Sequence, residues 1–477
     1  MKFIIRNVFL LTFLLVAVSG FSQDLNSIIS SASNQEALWS VTVRDSEGNI
    51  LESYNQEKLI IPASNQKLFT TATVLDGLGS DFRYTTNIYG DGILVDSVWE
   101  GNLIIKGSGD PSISGFMYGE NRYFVFGKLV SQLKELGIYE INGSLIADVS
   151  YFDHQIYPKG WDWDDLSFYY GVEIAPLSFN NNAVDLVVIA DGEVGSKPRI
   201  NWFPENTSFV NFINYQTITP AGTKYDEFYQ RDMGSNRIVL ASKLPKGYIE
   251  EESLSISGAA MFFLQSFRHF MIQSGINTPG SYLVQNPNPD VQNLNILASH
   301  NSEPLSKLIE WTNKESDNFY TEMLLKTLDA EKSNQQGSFE YGIKEVRKFL
   351  GGMEIDTTYV IMKDGSGMAS GNFTKTSILS EFLVKMQYHP EFEAFYRSMS
   401  VAGIDGTIVH RMKGTALYRN FKGKSGYVGG VRTLSGYFTT SSGEQLIVSM
   451  AANNFIGKVR PIDAVHERIL AYLYAKY

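Results

Sequence analysis

The chain contains no cysteine in 477 residues. That excludes disulfides, thiolate metal sites and a cysteine nucleophile. Histidine is scarce too. His154, His269, His300, His389, His410 and His466 are scattered without metal-ligand spacing. They read as structural, and neither a metal nor another cofactor is expected. Basic residues are in deficit, 40 Lys and Arg against 51 Asp and Glu, for a net charge of −11. With no basic stripe, a nucleic-acid partner is excluded. Beyond the first 22 residues no apolar run is long enough to cross a bilayer. Repeats and low-complexity tracts are absent. A large chain without disulfides suits a bacterial envelope better than a small, stapled extracellular domain.

The one apolar run lies at the start, in MKFIIRNVFLLTFLLVAVSGFSQ. Lys2 and Arg6 form a positive region, and residues 8–18 are apolar except for Thr12. Gly20 and Ser22 stand at −3 and −1 of a cut before Gln23. This is the pattern of a secretory signal peptide over 1–22. The competing reading is a membrane anchor, for which the run falls short of about 20 residues. The expected location is the periplasm, with no integral span after removal of the signal.

The remaining chain is long enough for two or three domains. Periodicity predicts a helix over 64–79. Alternation and turn glycines predict strands over 83–107. Helices follow at 122–137, 259–276, 303–330 and 338–350. From about 150 to 250 the chain is rich in Tyr, Asn, Pro and Gly, with short strands at 183–190 and 236–242. The end reads as an antiparallel hairpin, 434–440 and 445–452, followed by an amphipathic helix over 461–476. Helix-rich material at both ends thus flanks a strand-rich block. One domain interrupted by an insertion explains this more simply than domains in series.

Three short motifs carry the chemistry. PASNQKLFTTATVL (62–75) places Ser64 and Lys67 three residues apart, neighbours on one helix face. A serine hydroxyl is inert until a base takes its proton, and a lysine made neutral by burial or a second cation is such a base. A helix start also offers N–H groups and positive dipole to an oxyanion. Alone the pair is weak, since an N-cap serine beside a surface lysine looks the same. Ser316-Asp317-Asn318 opens an apolar helix, where capping is the plainer reading. Lys424-Ser425-Gly426 precedes the terminal hairpin. It is not a phosphate loop, because Tyr418 stands where that motif needs glycine. It is not a nucleophile elbow, because Tyr427 follows Gly426. The order Ser-x-x-Lys, Ser-x-Asn, Lys-Ser-Gly is the mark of penicillin-interacting serine enzymes.

The stretches GNLIIKGSGDPSIS (101–114), GWDWDDLSFYYGVEIAPLSFNNNAVDL (160–186), KDGSGMASGN (363–372) and SVAGIDGTIVHRMKGT (400–415) extend the match. The chain resembles the D-alanyl-D-alanine carboxypeptidase/endopeptidase family of class C, low-molecular-mass penicillin-binding proteins. The resemblance implies an α+β fold of the penicillin-binding-protein/serine β-lactamase type. An antiparallel sheet flanked by helices would carry large inserted, strand-rich domains. The implied division is 23–80 with 298–477 for the peptidase, 81–150 with 251–297 for a second domain, and 151–250 for a third nested within it.

The resemblance also assigns roles. Ser64 is the nucleophile and Lys67 its base. Ser316 passes a proton to the leaving amine, and Asn318 positions Lys67 and the substrate. Lys424 and Ser425 hold the terminal carboxylate beside Gly426, and charge on Lys424 helps keep Lys67 neutral. The backbone N–H groups of Ser64 and Tyr427 form the oxyanion hole. Asp165 and Tyr170 line a pocket for the substrate's diamino-acid side chain, with interdomain packing as the competing reading. Asp364, Gly365, Ser366 and Gly367 match a loop near the cleft, for which a tight turn is the plainer account. Ser425 replaces the usual threonine, and the bulky Tyr427 narrows access. The implied partners are peptidoglycan stem peptides and cross-links, with β-lactams as covalent inhibitors; oligomeric state is left open. A serine β-lactamase or esterase on the same framework, or a silent wall-peptide-binding protein, are the alternatives.

Overall fold

The strand Gln445–Asn453 is buried along nearly its whole length because both faces of its sheet are covered. Leu446, Val448 and Met450 point to one apolar layer, and Ile447 and Ala451 to the other. The computed structural model describes residues 24–32, 34–204, 208–278, 282–285 and 290–477. The expected signal peptide at 1–22 lies outside the described residues.

Six antiparallel strands form the main sheet, in the order Ser400–Val401, Lys422–Val428, Val431–Thr439, Gln445–Asn453, Leu38–Asp45, Ile50–Tyr54. The reading of the N-terminal segment as helix-rich leaves out its last two members. Leu38–Asp45 pairs along its whole length with Gln445–Asn453, so the beginning and end of the chain share one ladder. One face packs on the helices Leu25–Ser30 and Arg460–Lys476 through Leu25, Ile28, Trp39, Val41, Phe438, Ile469 and Leu473. The other packs on Thr376–Met386 and a helical layer holding Phe69, Leu324 and Phe382.

Two helices of that layer position the site. Lys67–Leu78 is buried from Lys67 through Leu75, all round rather than along a stripe. Asn318–Ser333 is likewise buried from Phe319 through Ala330. The helix expected over 64–79 begins later. Ala63–Gln66 is a 3-10 turn, with Ala63 at φ +46°, and regular helix starts at Lys67. The helical stretch expected over 303–330 breaks in two. Leu305–Glu315 ends on Ser316, whose φ of +61° turns the chain out of the helix. Asp317 then caps the next helix by accepting the Tyr320 N–H at 3.0 Å.

Between these helices the chain builds a mixed six-stranded sheet centred on Thr85–Val95 and Val98–Lys106, under the helices Phe124–Glu135 and Ala259–Gln273. Three smaller sheets follow, including Ile249–Ser255 with Ala183–Ile189 and Arg199–Phe203. One apolar cluster runs through both, from Ile105 and Leu129 to Phe263, Leu186 and Leu240.

Candidate active site

Ser64 sits on the 3-10 turn, held from three sides. Thr433 donates to the Pro62 carbonyl at 2.9 Å, the Asn65 amide to Ser435 Oγ at 2.7 Å, and the Gln66 amide to the Asp364 carbonyl at 2.6 Å. One residue beyond the turn, Lys67 is fully buried. Its Nζ lies 3.2 Å from Ser64 Oγ, 2.6 Å from Asn318 Oδ1 and 2.8 Å from the Ser366 carbonyl.

The amide of Asn318 is oriented by its other partners. Its nitrogen donates to the Tyr170 carbonyl at 3.1 Å and to Met368 Sδ at 3.3 Å, which leaves its oxygen for Lys67. From the main sheet, Lys424 Nζ donates to Ser316 Oγ at 2.7 Å and to the Ser425 carbonyl at 2.9 Å. Ser425 donates to Thr407 Oγ1 at 2.8 Å. A Cβ on Gly426 would lie 2.9 Å from the Ser64 nitrogen, so only glycine lets this strand pass so close to the nucleophile's amide. Ser64, Lys67, Ser316, Asn318, Lys424, Ser425 and Gly426 therefore meet in one place. Tyr427 stands at the rim, exposed.

Burial pushes Lys67 down to about 8, against the pull of the Asp364, Glu322 and Asp317 carboxylates. Burial also drives Lys424 well below its ordinary value, reinforced by the charges of Lys67 and Arg432. Two ammonium ions in one dry cleft repel. Charge on either lysine therefore disfavours charge on the other.

The loop Asp364 to Gly367, read as a tight turn, is part of the site. Asp364 accepts from Gln66, Trp161, Gly367, Ala369 and Asn372. Gly367, at φ +85°, presses on the nucleophile turn, where a Cβ would meet the Ala63 carbonyl at 1.9 Å. Asp165 and Tyr170 are close enough to influence each other electrostatically. Burial, then the neighbouring Asp164 and Asp162, raise the Asp165 carboxyl. What reaches the catalytic group from Tyr170 is its carbonyl. The six histidines stay outside this cluster, and among the described residues no group of three His, Asp or Glu side chains is arranged to hold a metal.

With the geometry in place, comparison with known proteins is informative. The model of the D-Ala-D-Ala carboxypeptidase 3 (S13) family matches residues 21–468. The chain belongs to this family. A D-alanyl-D-alanine carboxypeptidase from an Actinomadura species is 26% identical over 466 residues, covering 94% of this chain and 84% of the relative. Penicillin binding protein 4 (dacB) of Haemophilus influenzae superposes with a TM-score of 0.83 at 24% identity, covering 95% of this chain and 99% of that one. The same protein complexed with a β-lactam gives a TM-score of 0.76 at 22% identity, covering 94% and 99%. The expected serine-type D-Ala-D-Ala carboxypeptidase and its α+β penicillin-binding-protein fold are borne out.

Three residues around this S13 site escape motif reading: Thr407, Trp161 and Glu322. Glu322 had a visible signal. It is a charged residue four positions after Asn318, inside the apolar run of a helix. Thr407 and Trp161 reach the site only through tertiary contacts.

Proposed function

We propose that the protein hydrolyses D-alanyl-D-alanine or D-alanyl–diamino-acid bonds of peptidoglycan stem peptides through an acyl-enzyme on Ser64, and that β-lactams inhibit it by acylating the same oxygen. The observation that carries this reading is the meeting of two buried lysines with their serines. Lys67 Nζ lies beside Ser64 Oγ and Asn318 Oδ1, while Lys424 Nζ holds Ser316 Oγ.

The substrate's terminal carboxylate binds between Lys424 and Ser425. Its negative charge keeps Lys424 an ammonium, and that charge in turn favours the free amine at Lys67. Ser64 Oγ then attacks the D-alanyl carbonyl carbon as its proton passes to Lys67. The oxyanion is met by the N–H groups of Ser64 and Tyr427. As the C–N bond breaks, the proton from Lys67 reaches the leaving amine by way of Ser316. Water attacks the ester, Lys67 takes its proton, and Ser64 Oγ leaves with a proton restored. Asp165 and Tyr170 receive the diamino-acid side chain, with the carboxylate pairing its amine. On this reading the signal is removed and the enzyme works in the periplasm. The three-part domain division above belongs to the same proposal.

Mass spectrometry after penicillin exposure tests it. One covalent adduct is expected on the natural protein and none on Ser64→Ala. Turnover of a D-Ala-D-Ala-ended peptide against turnover of a β-lactam then separates peptidase from β-lactamase. No adduct on the natural protein sinks the proposal.

A further inference from the structure

Lys67 has three acceptors, and the third is a backbone carbonyl, that of Ser366. A backbone acceptor is only as well placed as the loop that carries it. This loop is gripped by a carboxyl group on the helix bearing Asn318. Glu322 Oε1 accepts the Ser366 N–H at 2.7 Å and the Gly365 N–H at 3.0 Å, and Oε2 accepts the Gly365 N–H at 3.1 Å. Thr70 Oγ1 donates to the Gly365 carbonyl at 2.7 Å from the opposite side. Glu322 and Asp364 are both fully buried, and among the described residues no lysine or arginine bonds to either.

We propose that Glu322 is a positioning residue for Lys67: its carboxyl clamps the Gly365–Ser366 backbone behind the base, and its proton governs how readily Lys67 releases one. The inference rests on the acyl-enzyme reading above. The charged groups around Glu322 are few. Lys67 comes from the serine helix and Asp364 from the loop. Lys326 lies on its own helix and pairs with Asp153 at 2.7 Å. Burial and then the Asp364 charge raise the Glu322 carboxyl to about 8, the range to which Lys67 is pushed down.

Two forms with the same proton count therefore compete. In one, Glu322 is ionised and Lys67 is an ammonium, unable to act as a base. In the other, Glu322 is protonated and Lys67 is the free amine. Ionised Glu322 favours the first by attraction, so the charge on this residue restrains catalysis while its oxygens organise it. Deleting the charge alone makes Lys67 easier to deprotonate.

The test is the pH dependence of acylation by a fluorescent penicillin. Wild type, E322Q and E322A are each followed from acid to alkaline pH. The amide of E322Q keeps an oxygen for the two N–H groups. Its acid limb is expected at lower pH than wild type by about half a unit or more, with a plateau within about tenfold of wild type. E322A loses the clamp as well, and its plateau falls by about 100-fold. A limb that stays put or moves to higher pH in E322Q overturns the proposal. Should E322Q fail to fold by thermal unfolding, infrared difference spectra of the wild type labelled with 13C-glutamate decide. A protonated glutamate band lost across the acylation limb supports the proposal, and its absence there overturns it. Wild type that takes no penicillin at any pH refutes the acyl-enzyme reading instead.

Discussion

Lys67 has no water-facing surface, so its protonation is set by burial and then by the carboxylates around it. Burial holds the folded value near 8, below that of an exposed lysine. The group must lose its proton to act, so acylation is expected to rise with pH through about 8 and level off above it. Stopped-flow penicillin binding across pH checks this. Lys67→Arg fixes the charge permanently and is expected to slow acylation by about 1,000-fold or more in the same assay. Asp165 offers a second residue-level expectation. Asp165→Asn should raise KM about tenfold for peptides with a free side-chain amine at the third position. Peptides with that amine acetylated should show no such change. The sequence made the motif residues legible because each had to be a particular chemical type at a fixed spacing. Glu322 was harder to see, since one carboxyl in an apolar helix names no partner until the loop 364–367 is folded against it.

At the scale of elements, Ser316-Asp317-Asn318 had two readings, capping and catalysis, and the structure uses both. Asp317 caps one helix, while Ser316 closes the one before it in a left-handed conformation, and its hydroxyl accepts from Lys424. The start of the serine helix was less legible. Its periodicity is helical from Ser64 on, yet Ala63 is held at φ +46° by a turn that Thr433 and Gly367 press into shape. Those contacts lie some 300 residues away or more and leave no local trace. Gly367→Ala is therefore expected to cost at least about 2 kcal/mol in urea unfolding. The same substitution should nearly abolish penicillin labelling, because the displaced Ala63 carbonyl carries Ser64 with it.

For the whole molecule, the segment 151–250 reaches the cluster around Ser64 and Lys67. Trp161 donates to Asp364 at 2.9 Å, the Tyr170 carbonyl holds the Asn318 amide, and Asn181 reaches Asp317 at 3.3 Å. Trp161→Phe keeps the ring and removes one hydrogen bond. It is expected to slow acylation about three- to tenfold while shifting the unfolding midpoint little, as read by penicillin kinetics beside a thermal melt. The sequence led to the expectation of a strand-rich block between two helix-rich ends, and the N-terminal end also supplies two strands of the main sheet. It did not disclose that Trp161 bonds to the loop 364–367, or that Tyr170 and Asn181 meet Asn318 and Asp317, because these contacts form only after folding. Nor did it mark Leu38–Asp45 as a central strand, since its ladder partner Gln445–Asn453 is some 400 positions away. That pairing has a consequence for how the enzyme comes into being. A ribosome delivers the first of these strands some 400 residues before the other, so the main sheet stays unclosed until Gln445–Asn453 has been made. A product cut short anywhere before residue 445 lacks that partner strand, and with it the ladder against which Leu38–Asp45 is seated.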